Sequence, residues 1–295
     1  MSGNSRWLVR ELGFSIWQFP LFFIGVGLLL TGALFAAPDA AGEKSEDTAK
    51  TAEDETEIQQ AARKLVEGIK LNVIADDKPQ QPELVKQPVL RYGDIPRAND
   101  KGSVWVWQRA GRPQVIMELF RGAGTRPWVH VVHSLSADAI DGDFGPLVPH
   151  WTPPRQAVQW NMLDAAQGPA ERPAARARQI KELAQKFTAH EFWDPNNSRF
   201  ELRLMVAPVH KYSDPDGGLL DGAMFLLCHE TNPEVVLLIE AAKEDGGAKF
   251  RYALARLGHA ELHVVIDGKE VWRQARVEGT RTSDAYWLLA RGVSP

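Results

Sequence analysis

PVLRYGDIPRANDKGSVWVWQRAGRPQVIMEL, residues 88–119, is answered 120 residues further on by PVHKYSDPDGGLLDGAMFLLCHETNPEVVLLI, residues 208–239, with no gap in either copy. Pro88/Pro208, Val89/Val209, Tyr92/Tyr212, Asp94/Asp214, Gly102/Gly222, Pro113/Pro233 and Val115/Val235 are identical. These matches fall on turn and strand residues, where backbone geometry limits the choice. An internal repeat of this size marks two copies of one supersecondary unit, so it speaks to architecture rather than to chemistry.

Outward from the repeat, each copy is preceded by an apolar stripe at helical spacing. Ile58, Ala61, Ala62, Leu65, Val66 and Ile69 predict a helix over 55–71, and Ile180, Leu183, Ala184 and Phe187, after Pro173, predict one over 173–190. Strands are expected over 83–92, 103–108, 113–120 and 128–135, again over 200–212, 223–228, 234–240 and 250–257, and last over 285–290. The short separations imply antiparallel pairing. Asp267-Gly268 between LHVVI and KEVW signals a tight hairpin. In Val104-Trp105-Val106-Trp107 both alternating faces are apolar, which implies burial on both sides. The fold class that follows is α+β: two tandem helix-plus-antiparallel-sheet repeats, 55–170 and 171–295. Gly102 and Gly222 are expected at positive φ.

Leu12–Pro38 is uncharged for 27 residues, long enough to cross a bilayer as a transmembrane helix. Arg6 and Arg10 precede it and acids follow, which leaves the N-terminus cytoplasmic and the bulk exported. Residues 1–37 are expected to form a signal peptide or a membrane anchor; Ala36, Ala37, Ala40 and Ala41 leave cleavage open. Residues 38–54 read as a flexible acidic linker, with eight acids against two lysines between Asp39 and Glu57. The expected location is the exported side of the inner membrane, anchored or periplasmic.

A net charge of −4 and the lack of a basic stripe argue against a nucleic-acid partner. One cysteine, Cys228, in the apolar run AMFLLC, rules out an internal disulfide and reads as a buried thiol. No cofactor or metal motif is present, and the glycine-rich stretches lack the lysine and hydroxyl of a phosphate loop.

Residues shared by both copies are explained by folding first. That applies to Tyr92/Asp94 and Tyr212/Asp214, and to Trp105 and Trp107, whose counterparts are Phe225 and Leu227. His130 and His133, in WVHVVHSLS, have no histidine counterpart and are the leading candidates for chemistry. A strand sends them to opposite faces, so they cannot share one ion. Trp151 and Trp160, outside the matched segments, are candidates for stacking on a glycan.

ELRLMVAPVHKYSDPDGGLLDGAMFLLCHETNPEVVLLIEAAKEDGGAKFRYALARLGHAEL, with RARQIKELAQKFTAH before it and VVHSLS earlier, resembles a family of uncharacterised bacterial exported proteins over most of residues 80–275. The resemblance implies export and a shared fold, and it assigns no activity, cofactor or site residue. The expected function is a non-catalytic binding or structural module of the cell envelope, tethered to the membrane or secreted, with a protein or glycan partner. The alternatives are a hydrolase-like enzyme in the cleft between the repeats, using His133, His130 and Asp141 or Asp143, and a glycan-binding module.

Overall fold

The computed structural model describes residues 57–94, 100–121, 127–146, 148–163 and 167–291. The expected membrane segment and acidic linker lie outside the described residues. Among the described residues no helix is long and apolar enough to cross a membrane.

The first half opens with α1 (57–67), which stops before Gly68. It continues through β1 (Lys70–Ala75), β2 (Lys78–Gln80), β3 (Glu83–Leu84), β4 (Leu90–Asp94), β5 (Asp100–Arg109), β6 (Arg112–Arg121), β7 (Trp128–Ser134) and β8 (Ala139–Asp143). A short β9 (Asn161–Met162) leads to the second half. There α2 (Pro173–Ala184) is followed by β10 (Phe187–Phe192), β11 (Arg199–Leu204), β12 (His210–Asp214), β13 (Leu219–His229), β14 (Asn232–Glu244), β15 (Gly247–Arg256), β16 (Glu261–Ile266), β17 (Lys269–Gln274) and finally β18 (Tyr286–Arg291).

The α+β expectation is corrected: strand outweighs helix 54% to 11% among the described residues, there are two helices, and one sheet is curled into a half-barrel, so the fold is mostly β. The balance shifts because short stretches read as helix tail or connection are strands. Phe187 continues the spacing of Ile180 and Leu183, yet it starts β10, where each residue from Phe187 to Phe192 pairs with β16. Lys70–Ala75, whose burial alternates along the chain, is paired on both sides, by β2 and by β8.

The two halves also share their outer strands. The second half forms most of a nine-stranded sheet, ordered β17-β16-β10-β11-β13-β14-β15-β9 with β12 also on β13. The first half forms β2-β1-β8 and most of the sheet β18-β7-β6-β5-β3, with β4 also on β5. Its β2 and β3 are two short strands where the second half has the single strand β11. Pro82, which breaks the run, stands where the repeat offset places Leu202, a residue paired with Ala189, and proline has no N–H to give a ladder. The outer strands are exchanged: β9, which leads out of the first half, completes the second half's sheet on β15, and β18, the last strand among the described residues, completes the first half's sheet on β7.

Each half buries its helix on one sheet face. Val66 and Ile69 pack with Trp105, Met117 and Trp128 in one core, and Ile180 and Leu183 with Phe225, Leu237 and Phe250 in another. The opposite faces meet in a third core, where Val104, Val106 and Ile116 join Met224, Leu226 and Val236. Each such side chain contributes about 1.5–3 kcal/mol by leaving water.

The halves also grip each other reciprocally. At the β5–β6 turn Gly111, at φ +79, packs on the backbone of Ser213, and at the β13–β14 turn Thr231 Oγ1 donates to Gly93 O at 2.7 Å. Both partners of the second contact are the repeat equivalents of the first, so the join has the two-fold character of an isologous interface.

The positive φ expected at Gly102 and Gly222 is not found; neither is among the positive-φ glycines. What selects glycine is a ring. Tyr92 pairs across the ladder with Gly102 and Tyr212 with Gly222, and a Cβ on either glycine would lie inside the facing ring. The phenols reach past the glycine to buried carboxylates: Tyr92 donates to Glu118, and Tyr212 donates to Glu240 at 3.3 Å.

Candidate functional site

The strand exchange brings β7 and β18 of one sheet beside β15 and β9 of the other, and between them lies a cleft of about 600 Å³. His133 and Tyr286 form its inner wall as directly opposed residues of β7 and β18, their rings 6.3 Å apart. Arg256, at the end of β15, lies 5.2 Å from the centre of the Tyr286 ring. Gln159, Asn161 and Gln274 supply amides, and Trp272 an indole.

His133 faces this cleft because Val132 and Val131 alternate between the helix-side core and the inter-sheet side. Its Nδ1 donates to Ser134 O at 2.8 Å, which leaves Nε2 as a hydrogen-bond acceptor. Burial, reinforced by the Arg256 charge and opposed by the Ser134 hydrogen bond, lowers its pKa from 6.5 to about 4, so the ring is neutral at physiological pH. Tyr286 is 7% exposed, and its hydroxyl has no hydrogen-bond partner among the described residues. Burial also raises its pKa, so the phenol stays protonated and remains a donor. Arg256 is occupied elsewhere: Nε donates to Gly258 O at 2.9 Å, Nη1 to Ala275 O at 2.9 Å and Nη2 to Ala260 O at 2.6 Å. Its cation fixes the turns behind the cleft instead of presenting an ion-pairing face. The wall therefore offers one O–H donor and one imidazole acceptor side by side, both uncharged.

His133 gives a pH test. The native state resists a proton that the unfolded chain accepts, so its effect on stability is nil above pH 6.5, grows as pH falls from 6.5 to about 4, and then levels off once both states are protonated. Over that window the native protein should lose about 3 kcal/mol more than a His133→Asn variant does, as read from urea midpoints. Parallel losses in the two proteins would refute the neutral buried ring.

The other sequence candidates are not brought to this cleft. His130 lies on the opposite face of β7, buried edge-on to Phe144 at 6.4 Å. Asp141 and Asp143 belong to β8; Asp141 holds His150 at 2.6 Å, and Asp143 accepts from Gly145 N at 2.8 Å. The hydrolase grouping of His133, His130 and these aspartates is thus not assembled. Trp151 is fully buried against Phe144, its Nε1 donating to Asp284 O at 2.9 Å. Trp160 carries the guanidinium groups of Arg251, at 4.8 Å, and Arg112, at 5.6 Å. Those two indoles make no common stacking platform.

Cys228 is buried, and burial pushes its thiol up to about 12, which leaves it unreactive. Among the described residues no group of His, Cys, Asp or Glu is arranged to hold a metal ion. Tyr286 and Arg256 escaped the sequence reading. AYWLLAR announces a strand and nothing about the sheet it joins, and the site exists only through that choice. Comparison of the chain with protein-family models, curated proteins and solved structures yields no match.

Proposed function

We propose that the protein is a non-catalytic binding module of the cell envelope, held on the exported side through its N-terminal apolar segment, and that the junction cleft takes an uncharged, polyhydroxylated ligand such as a glycan unit. The observation that carries this reading is the buried, unpartnered hydroxyl of Tyr286 beside the neutral His133. A buried hydroxyl without a partner costs about 1–3 kcal/mol, which a ligand accepting its hydrogen bond returns. A sugar hydroxyl can accept from Tyr286 and donate to His133 Nε2 in one step. The cleft, about 600 Å³, lies within the range of small-molecule sites, roughly 300–1,000 Å³. Its amide side chains and the Trp272 indole suit the polar edges and apolar face of a sugar ring. The Thr280 hydroxyl in the wall is tied to the backbone of Leu288 through both its donor and its acceptor, and the Asp284 carboxylate, in the same wall, accepts from Arg281 N at 2.7 Å through Oδ2.

Tyr286→Phe keeps the ring and removes only the donor. Calorimetric titration with a panel of neutral oligosaccharides should show affinity reduced about tenfold or more in the variant, with thermal stability unchanged or raised. Unchanged affinity, or no heat from the native protein with any neutral sugar, would refute the assignment, and release of shortened products would favour the hydrolase instead.

A further inference from the structure

β17 is the outermost strand of the nine-stranded sheet, and among the described residues it pairs with β16 alone. Its pleat divides it between two surroundings. Trp272 and Gln274 stand opposite Val264 and Leu262, so they share the core side of the sheet, and from there they form part of the wall of the junction cleft. Glu270 and Arg273 stand opposite Val265 and His263, on the outer side. Between these two pairs of positions the ladder slips at Val264/Val265, a bulge that locally interrupts backbone pairing. The side chains behind the wall therefore carry part of the task of holding it.

On that outer side His263 sits between two carboxylates, with Nδ1 2.6 Å from Glu270 Oε2 and Nε2 3.0 Å from Glu261 Oε1. The hydrogen bonds from His263 hold both carboxyls below the ordinary carboxylate range, with Arg273 adding to the effect, so both are ionised at neutral pH. An ionised carboxylate only accepts, and only the imidazolium has two N–H donors, so this geometry requires a charged ring. The two acids differ in what else they hold. Glu261 also accepts from Arg273 Nη2 at 2.6 Å, whereas Glu270 bonds His263 alone among the described residues. The Glu270 bond crosses from β17 to β16 beside the slip. On the other side of His263 the ring of His190, from β10, is stacked on it at 4.6 Å and 9°. Desolvation first, then the charges of Arg199 and His263, opposed by Glu201 and Glu270, lower the His190 pKa, so the neighbour of the cation is an uncharged ring.

We propose that His263 is a pH-sensitive latch on the junction cleft: protonated, it ties the edge strand β17 to β16 through Glu270 and keeps the Trp272 wall in place, and deprotonated it releases that wall. A neutral imidazole has one N–H, so one of the two carboxylates then faces a ring lone pair, and the strand loosens at the slip. The latch weakens as pH rises through the imidazole range. It is bounded on the acid side as well, because His190, with its lowered pKa, resists the proton that would set a second cation against His263, and the carboxylates are lost only as pH falls through their own depressed values. The effect on ligand rests on the reading of the cleft as the binding site; the movement of β17 does not.

Amide hydrogen exchange of residues 269–274, corrected for the intrinsic pH dependence of exchange, reads the latch without any ligand. Between about pH 6 and about pH 8.5 protection of this strand should fall about fivefold in the native protein, a modest step because Glu270 is half exposed. In Glu270→Gln the amide can accept from or donate to the ring, so the step should vanish while the fold is kept. In His263→Phe the stacking on His190 is retained and both bonds are lost, so protection should be low at both pH values. Equal native protection at the two pH values, or an undiminished step in Glu270→Gln, would overturn the latch. Affinity for a neutral oligosaccharide that binds the native protein should fall in parallel with protection, and pH-independent affinity despite a loosened strand would overturn its coupling to the cleft. An exchange step without binding of any neutral sugar would support the latch and refute the glycan reading.

Discussion

Replacing Gly102 by alanine should cost about 3 kcal/mol or more of stability, and Gly222→Ala should cost a similar amount, measured by urea or thermal unfolding. The added methyl has nowhere to go. In each ladder pair the tyrosine ring occupies the volume a Cβ needs, and the ring cannot swing aside while its hydroxyl is bonded to a buried glutamate. Burial raises the Tyr212 pKa well above its ordinary value, so this phenol remains a donor throughout the accessible pH range. The cost is steric and local, so a double-mutant cycle exposes it. In a Tyr92→Ala background Gly102→Ala should cost less than about 1 kcal/mol, because the new methyl then enters the space the ring vacated. An equal cost in both backgrounds would show that the glycine is required for some other reason.

The second large effect concerns Glu240, fully buried in β14 with two arginines on it. Arg112 Nε and Nη2, from the first half, lie at 3.1 and 2.5 Å, and Arg251 Nε, from the neighbouring strand, at 2.9 Å. The carboxylate is at 0% exposure, whereas the arginines keep 29% and 22%. The asymmetry sets the sign of the experiment. Removing both cations by Arg112→Met with Arg251→Met strands a charge that cannot reach water, and should cost about 3–5 kcal/mol. Removing the acid by Glu240→Leu leaves two cations that can turn outward, and should cost about 1–2 kcal/mol. If the acid's removal proves the more damaging, the penalty lies in lost attraction rather than in desolvation. Trp160 stacks over both guanidiniums, so it serves this clamp between the halves, which is the role the structure gives to one of the two tryptophans proposed for a glycan platform.

The duplicated core was legible because its residues carry backbone demands that survive without an alignment. Tyr92 and Gly102 recur as Tyr212 and Gly222 since each pair must fit one ring over one Cα. Doubly apolar runs such as Val104–Trp107 were legible too, because a strand covered on both faces cannot tolerate polar alternation. Short strands with polar ends were not. Lys78–Gln80 and Asn161–Met162 have too few side chains to show a period, and Phe187 satisfies helical and strand spacing alike. The site was half legible. His133 stood out because its second-half counterpart is Ala255, but the residue opposite it, Tyr286, comes from a strand outside both repeat copies, and no local pattern says which sheet a strand will complete.

That pairing has a consequence for synthesis. The strand that closes the first sheet, residues 286–291, is separated from β7 by more than a hundred residues, so the β7 edge of the nascent chain stays bare while they are translated. A bare β edge recruits other strands, including those of a neighbouring polypeptide. Chaperone demand during translation, and sensitivity to any premature stop before residue 286, therefore follow directly from the topology.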